Sequence, residues 1–163
     1  MAEVAVLAKE VRQHWLSQGL RVSSVKPEEL AELTRSRLAG IPEEYEAFLR
    51  VAGLPDDEDG AGFRFWLPRE VRATSHVLGE SGYGSEGAEP SVIIADYLQE
   101  SWWYGLWLAG PFAGQVSLVL GNEAGKDPQP PLGTFVDFLL AYLNDDVRLY
   151  PPASSPEHTG RVS

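Results

Sequence analysis

The stretch Gly82-Tyr83-Gly84-Ser85-Glu86-Gly87 spells G-x-G-x-x-G, the letters of a loop that cradles phosphate. Cradling needs a strand before the glycines and a helix after them, so that free amides and the helix dipole meet the anion. Here a helix-like stretch comes first, Pro90 leads into a strand pattern, and Glu80, Glu86 and Glu89 would sit beside the phosphate. The residues between Gly79 and Pro90 therefore predict a glycine-rich loop. Ser85 is no nucleophile elbow either, because Tyr83 stands where that turn needs a glycine. His14, His76 and His158 are the only histidines and share no metal-ligand spacing, so each is expected at the surface.

The run Asp56-Asp57-Glu58-Asp59 lacks the alternating ligands, central glycine and closing glutamate of a calcium loop. It reads as a solvated loop or as a patch for a basic partner. No spacing among the 24 acids marks a glycosidase pair. Cysteine is absent, which removes disulfides, thiolate metal sites and thiol nucleophiles together and agrees with a reducing compartment. The expectation is a protein without catalytic residues, cofactor or metal.

A net charge of −11 at pH 7, spread along 163 residues, repels phosphate backbones and steers a basic partner inward. The same excess also aids solubility. The N-terminus carries Glu3 and no basic region before an apolar run, so it does not read as a signal peptide, and no apolar stretch is long enough to cross a bilayer. A soluble cytoplasmic protein is expected, with no nucleic-acid or membrane partner, as a monomer or weak homodimer.

These features need elements to carry them. Val4, Leu7, Val11 and Trp15 line one face of a helix predicted from Ala2 to Gln18. Pro27 opens a second helix, buried by Leu30, Leu33 and Leu38 and closed by Gly40. Pro42 opens a third, only about three residues later, with Tyr45, Phe48, Leu49 and Ala52 as its stripe and Gly53 as its cap. A short strand is predicted at Phe63 to Leu67, a helical turn or two between Arg69 and Val77, and strands at Ser91–Ala95, Trp103–Leu108 and Gln115–Leu120. Gln129-Pro130-Pro131 reads as a connector, after which Thr134 caps a last helix buried by Phe135, Phe138, Leu139, Tyr142 and Leu143. The predicted fold is α+β, with helices on a mostly antiparallel sheet of about four to six strands. One domain spans 1–150, and 151–163 is expected to be a flexible tail.

Alternation sends Trp102 and Tyr104 to one face of their strand and Trp103 and Gly105 to the other. Either one large ring is exposed as an interface anchor, or the strand is covered on both faces.

The segment Ile41-Pro42-Glu43-Glu44-Tyr45-Glu46-Ala47-Phe48-Leu49 resembles the signature of the SMI1/KNR4 (SUKH) superfamily. Pro68-Arg69-Glu70-Val71, Ile93-Ile94-Ala95-Asp96 and Phe135-Val136-Asp137-Phe138-Leu139 follow in the order that family shows. The likeness covers about 27–145; the first helix, within 1–20, and the tail lie outside it. The resemblance implies an α+β fold without a catalytic centre. Its bacterial members are immunity proteins that neutralise toxins, often nucleases, and its fungal members are regulatory hubs. The functional expectation is thus a bacterial immunity-type protein that occludes a basic toxin domain through Asp56, Asp57, Glu58, Asp59, Glu86, Glu89 and Glu100, with Trp102 as anchor. The alternatives are an adaptor without a toxin, and a small-molecule-binding or enzymatic domain.

Overall fold

The computed structural model describes residues 2–36, 40–79, 91–120 and 129–151. Helix α1, Ala2–Ser17, buries Val4, Leu7, Val11 and Trp15, as their spacing predicts. Helix α2, Pro27–Arg35, places Glu28 and Glu29 in its first turn, where the dipole favours acids, and Glu29 accepts a hydrogen bond from the Lys26 amide at 2.9 Å. It stops short of the Gly40 end read from the sequence, so the link to the next helix runs longer than three residues; Leu38 lies outside the described residues.

Helix α3, Glu43–Ala52, starts after Pro42 and buries Tyr45, Phe48, Leu49 and Ala52. Gly53 ends it at φ +70°, and a Cβ there would lie 2.5 Å from the Ser23 carbonyl oxygen. Only glycine fits that conformation and that approach. Beyond it, β1 (Val22–Ser23) and β2 (Leu54–Pro55) form a small antiparallel ribbon.

The main sheet holds β3 (Phe63–Phe65), β4 (Arg72–Ala73), β5 (Ser91–Tyr97), β6 (Trp102–Trp107), β7 (Gln115–Val119) and β8 (Pro131–Thr134). Its order is β3-β5-β6-β7-β8, with β4 sharing β5's outer side with β3, and every pairing is antiparallel. A 3₁₀ turn, Pro68–Glu70, and helix α4, Thr74–Gly79, fill the expected helical stretch on either side of β4. The closing helix α5, Phe135–Asn144, begins with the Thr134 hydroxyl accepting from the Asp137 amide at 3.1 Å, while Asp137 accepts from the Thr134 amide at 2.9 Å. The fold is therefore α+β, with N-terminal helices, an antiparallel six-stranded sheet and a C-terminal helix.

Strand β8 corrects the reading of its start as a connector. Pro131 lacks an amide donor, yet an edge strand tolerates that loss because its outer side has no ladder to feed.

The alternation of β6 resolves with the strand covered on both faces. Tyr104 is fully buried on the helix side, against Phe63 and Phe138. Trp103 and Trp107 are buried on the other side, where the Trp107 indole donates to the Ser117 hydroxyl at 3.0 Å. On the helix side, Trp15, Phe48, Phe65, Phe135 and Phe138 pack mainly edge to face or tilted, between α1, α3, α5 and the sheet.

Candidate functional site

The β5–β6 hairpin closes over Tyr97, which pairs with Trp102. Between them Leu98, Gln99 and Glu100 all have positive φ, at 47°, 54° and 66°. Such a run of left-handed residues is held from outside. The Leu98 amide donates to the Gly62 carbonyl at 2.9 Å, the Ser101 amide to Tyr97 at 2.9 Å, and the Glu100 amide to Asp96 Oδ1 at 3.0 Å. The loop that follows β2 thus docks on the hairpin, bringing the acidic run to the same end of the sheet.

On the helix side of that end three aromatic rings are half-buried. Trp102 stacks on Tyr97 at 4.7 Å between centroids, and Tyr150 stands edge-on to both, at 5.5 Å from Tyr97 and 6.2 Å from Trp102. The polar tips of Trp102 and Tyr150 are hydrogen-bonded. The Trp102 indole donates to the Tyr104 hydroxyl at 2.9 Å, which donates to the Leu149 carbonyl at 2.8 Å, and the Tyr150 hydroxyl donates to Asp145. Burial pushes the Tyr104 and Tyr150 hydroxyls far above their ordinary value, and the Asp145 carboxylate adds to the rise at Tyr150. Leu98 and Val147 are exposed on the two segments that flank the trio, 49% and 79% respectively.

The acids predicted to form the patch separate into different roles. Asp57 is exposed, with Oδ1 accepting from the neighbouring Glu58 amide, and Glu58 is half-buried beside it. Asp56 is exposed but shares its charge with Arg21 at 3.9 Å and accepts from the Ser23 hydroxyl at 3.4 Å. Asp59 turns inward, contrary to a surface role. Oδ1 accepts from the Ala61 and Phe63 amides at 2.8 and 2.9 Å, and Oδ2 accepts from the Tyr142 hydroxyl, which in turn accepts from the Trp15 indole at 2.9 Å. It is 6% exposed and ties the loop to α1 and α5, so it serves the fold.

Glu100 follows Trp103 to the far side of the hairpin, accepting from its indole at 2.9 Å. It stands near Asp96, which is 1% exposed, takes 2.6 Å and 3.0 Å hydrogen bonds from the Trp66 indole and the Glu100 amide, and lies 3.4 Å from the Arg64 guanidinium. The structure therefore sends Glu100 to the far side of the hairpin and turns Asp59 inward, while Asp57 and Glu58 precede it in the loop whose Gly62 carbonyl receives the Leu98 amide. Glu86 and Glu89 lie outside the described residues. Sequence reading missed Tyr97, Tyr150, Asp145 and Asp146. Their signal was faint: the pair Asp145-Asp146 ends the last helix, and Tyr150 follows five residues after Asp145.

Among the described residues, no group of three or more His, Asp or Glu side chains is placed to hold a metal ion, and no helix is long and apolar enough to cross a membrane. No family model, curated protein or solved structure matches the chain.

Proposed function

We propose that this chain is a non-enzymatic protein-binding domain of the immunity type, which occludes a basic toxin domain in the cytoplasm. The observation that carries the reading is the half-buried trio Tyr97, Trp102 and Tyr150, flanked by exposed Leu98 and Val147, with Asp145 on Tyr150 and the loop that carries Asp57 and Glu58 docked on the hairpin through Gly62. Rings with anchored tips lose little side-chain entropy when covered, which is why Trp and Tyr dominate interface hot spots. Acids around them, in a chain of net charge −11, speed encounter with a basic surface and leave exposed carboxylates at the rim. The resemblance to SMI1/KNR4 proteins supports the toxin as partner class.

The test is co-expression with a basic toxin domain encoded beside the chain's gene, followed by titration calorimetry at low and moderate salt. A one-to-one complex is expected, weakened by salt, and weakened roughly thirtyfold by Trp102→Ala in a protein whose circular dichroism is unchanged. Asp57→Asn with Glu58→Gln slows association and leaves dissociation close to wild type. Binding that ignores both sets of substitutions sinks this surface. A neighbour-free gene with several cellular partners returns the adaptor reading.

A further inference from the structure

A second feature lies away from the aromatic end. Helix α2 and the segment from the 3₁₀ turn to β4 border a groove of about 590 Å³, within the size range of built ligand sites. Its floor is Leu33, Pro68 and Val71, all buried. One bank carries Glu28 and Glu32, four residues apart and so on one helix face; the opposite bank carries Arg69 and Arg72.

Charge use along the chain marks these banks out. Arg21, Arg35, Arg50, Arg64 and Arg148 each hold a carboxylate within 4 Å. Among the described residues Arg69 and Arg72 hold none, although the chain has 24 acids to 13 bases; Arg12 also lacks one, but its guanidinium donates to the Ala52 carbonyl at 3.0 Å. Arg72 lies over the Trp66 ring at 5.6 Å, which fixes its guanidinium without neutralising it. Across the groove Glu32 is held by Arg35 and Glu29 by the Lys26 amide, while Glu28 is exposed and makes no ion pair among the described residues. The two banks carry opposite unneutralised charge and do not bridge to each other.

We propose that this groove binds an extended peptide segment of a partner protein, with an apolar side chain on Leu33, Pro68 and Val71, an acidic residue toward Arg69 and Arg72, and a basic residue toward Glu28. The guanidinium fork matches a carboxylate bidentately. The acidic bank repels a phosphate backbone, which separates this ligand from a nucleic acid. Both banks are lined by exposed side chains, so the groove stays open along its length, as a chain segment requires and an enclosed small molecule does not. The proposal is independent of the toxin reading.

The probe is a pair of blocked, fluorescein-labelled pentapeptides, lysine-alanine-leucine-alanine-glutamate and its reversed sequence, each also made with glutamine for glutamate. Anisotropy titrations and amide chemical-shift mapping on the full chain read the result. Saturable binding of one order is expected, with shifts confined to 27–36 and 68–73. The glutamine peptide should bind about tenfold more weakly, as should Arg69→Ser with Arg72→Ser, since a hydrogen bond to a charged group has that worth. Glu28→Gln, at an exposed helix position, should weaken binding by about threefold and guards against misfolding of the arginine variant. Equal affinity for all four peptides overturns the proposal, as do absent saturation, shifts centred on Tyr97 and Trp102, or shifts at the groove that appear on concentrating the protein alone.

Discussion

On the helix-covered face of the sheet, Phe63, Phe65, Tyr104, Leu106, Val116 and Leu118 are buried, and the Tyr104 hydroxyl is the only polar side-chain group among them. On the opposite face Ser91, Asp96 and Ser117 are equally buried, interleaved with Trp103 and Trp107. There each polar atom meets a named partner: Ser91 donates to the Thr74 hydroxyl at 2.8 Å, Ser117 receives the Trp107 indole, and Asp96 receives the Trp66 indole. The first face is held by shape and area, which tolerate small errors gradually. The second is held by pairing, where one missing partner leaves a buried group unsatisfied.

The largest expected effect belongs to the helix-covered side, because the strongly buried phenols lie there. Burial raises the Tyr45, Tyr104 and Tyr142 hydroxyls above their ordinary value, so the fold keeps protons that the unfolded chain releases. Their contribution is intact below the unfolded value of about 10 and is lost as pH rises above it. Urea titrations at increasing pH should show stability falling steeply above about pH 10, with phenolate absorbance from these three rings appearing together with unfolding. Ionisation of all three within a still folded protein contradicts the tight packing of that face.

Next in size is Phe65→Ala, which removes a ring in contact with Trp15, Phe48, Phe138 and Tyr142. A loss of about 3–5 kcal/mol is expected in urea melts. On the paired face Asp96→Ala strands the Trp66 indole and the Glu100 amide and leaves the third-exposed Arg64 with Glu70 alone. About 2–3 kcal/mol should be lost, and Asp96→Asn, which keeps an acceptor, should lose less. If the two substitutions are equal, charge and not pairing holds that face. Ser117→Ala then isolates one step of the same logic, at about 1–2 kcal/mol through the unpaired Trp107 indole.

The smallest effect lies on the surface. Asp146 accepts from the side chain and amide of Arg148, and these hydrogen bonds hold its carboxyl below the usual range. The depressed value means that the turn at Val147–Leu149 gains support above the unfolded carboxylate range and loses it as pH falls through the folded value. An NMR titration of Asp146 in wild type and Arg148→Ala should show the midpoint returning upward. An unmoved midpoint removes Arg148 as the cause.

The contrast between faces also explains what the sequence disclosed. Val4, Leu7, Val11 and Trp15, or Tyr45, Phe48, Leu49 and Ala52, announce their helices because an apolar stripe repeats with the helical period. Thr134 and Asp137 announced the start of α5 by cap chemistry alone. Strand β8 stayed hidden because Pro131 and Gly133 lower local strand propensity, and its place comes from pairing with β7. The inward turn of Asp59 was equally hidden, since its partner Tyr142 lies 83 positions away. The aromatic cluster around Trp102 was legible from its neighbours in the chain, whereas Tyr97 and Tyr150 join it only through the hairpin and the last turn.

All five tryptophans donate their indole hydrogen to a defined acceptor: Trp15 to Tyr142, Trp66 to Asp96, Trp102 to Tyr104, Trp103 to Glu100 and Trp107 to Ser117. The acceptors are phenols, carboxylates and a hydroxyl, so the five proton–nitrogen signals should stand well apart in a spectrum. Trp102 and Trp103 are adjacent in sequence yet lie on opposite faces of one hairpin. The chain thereby carries a built-in direction finder: whatever approaches that end will displace one of two neighbouring resonances first, and the choice names the side.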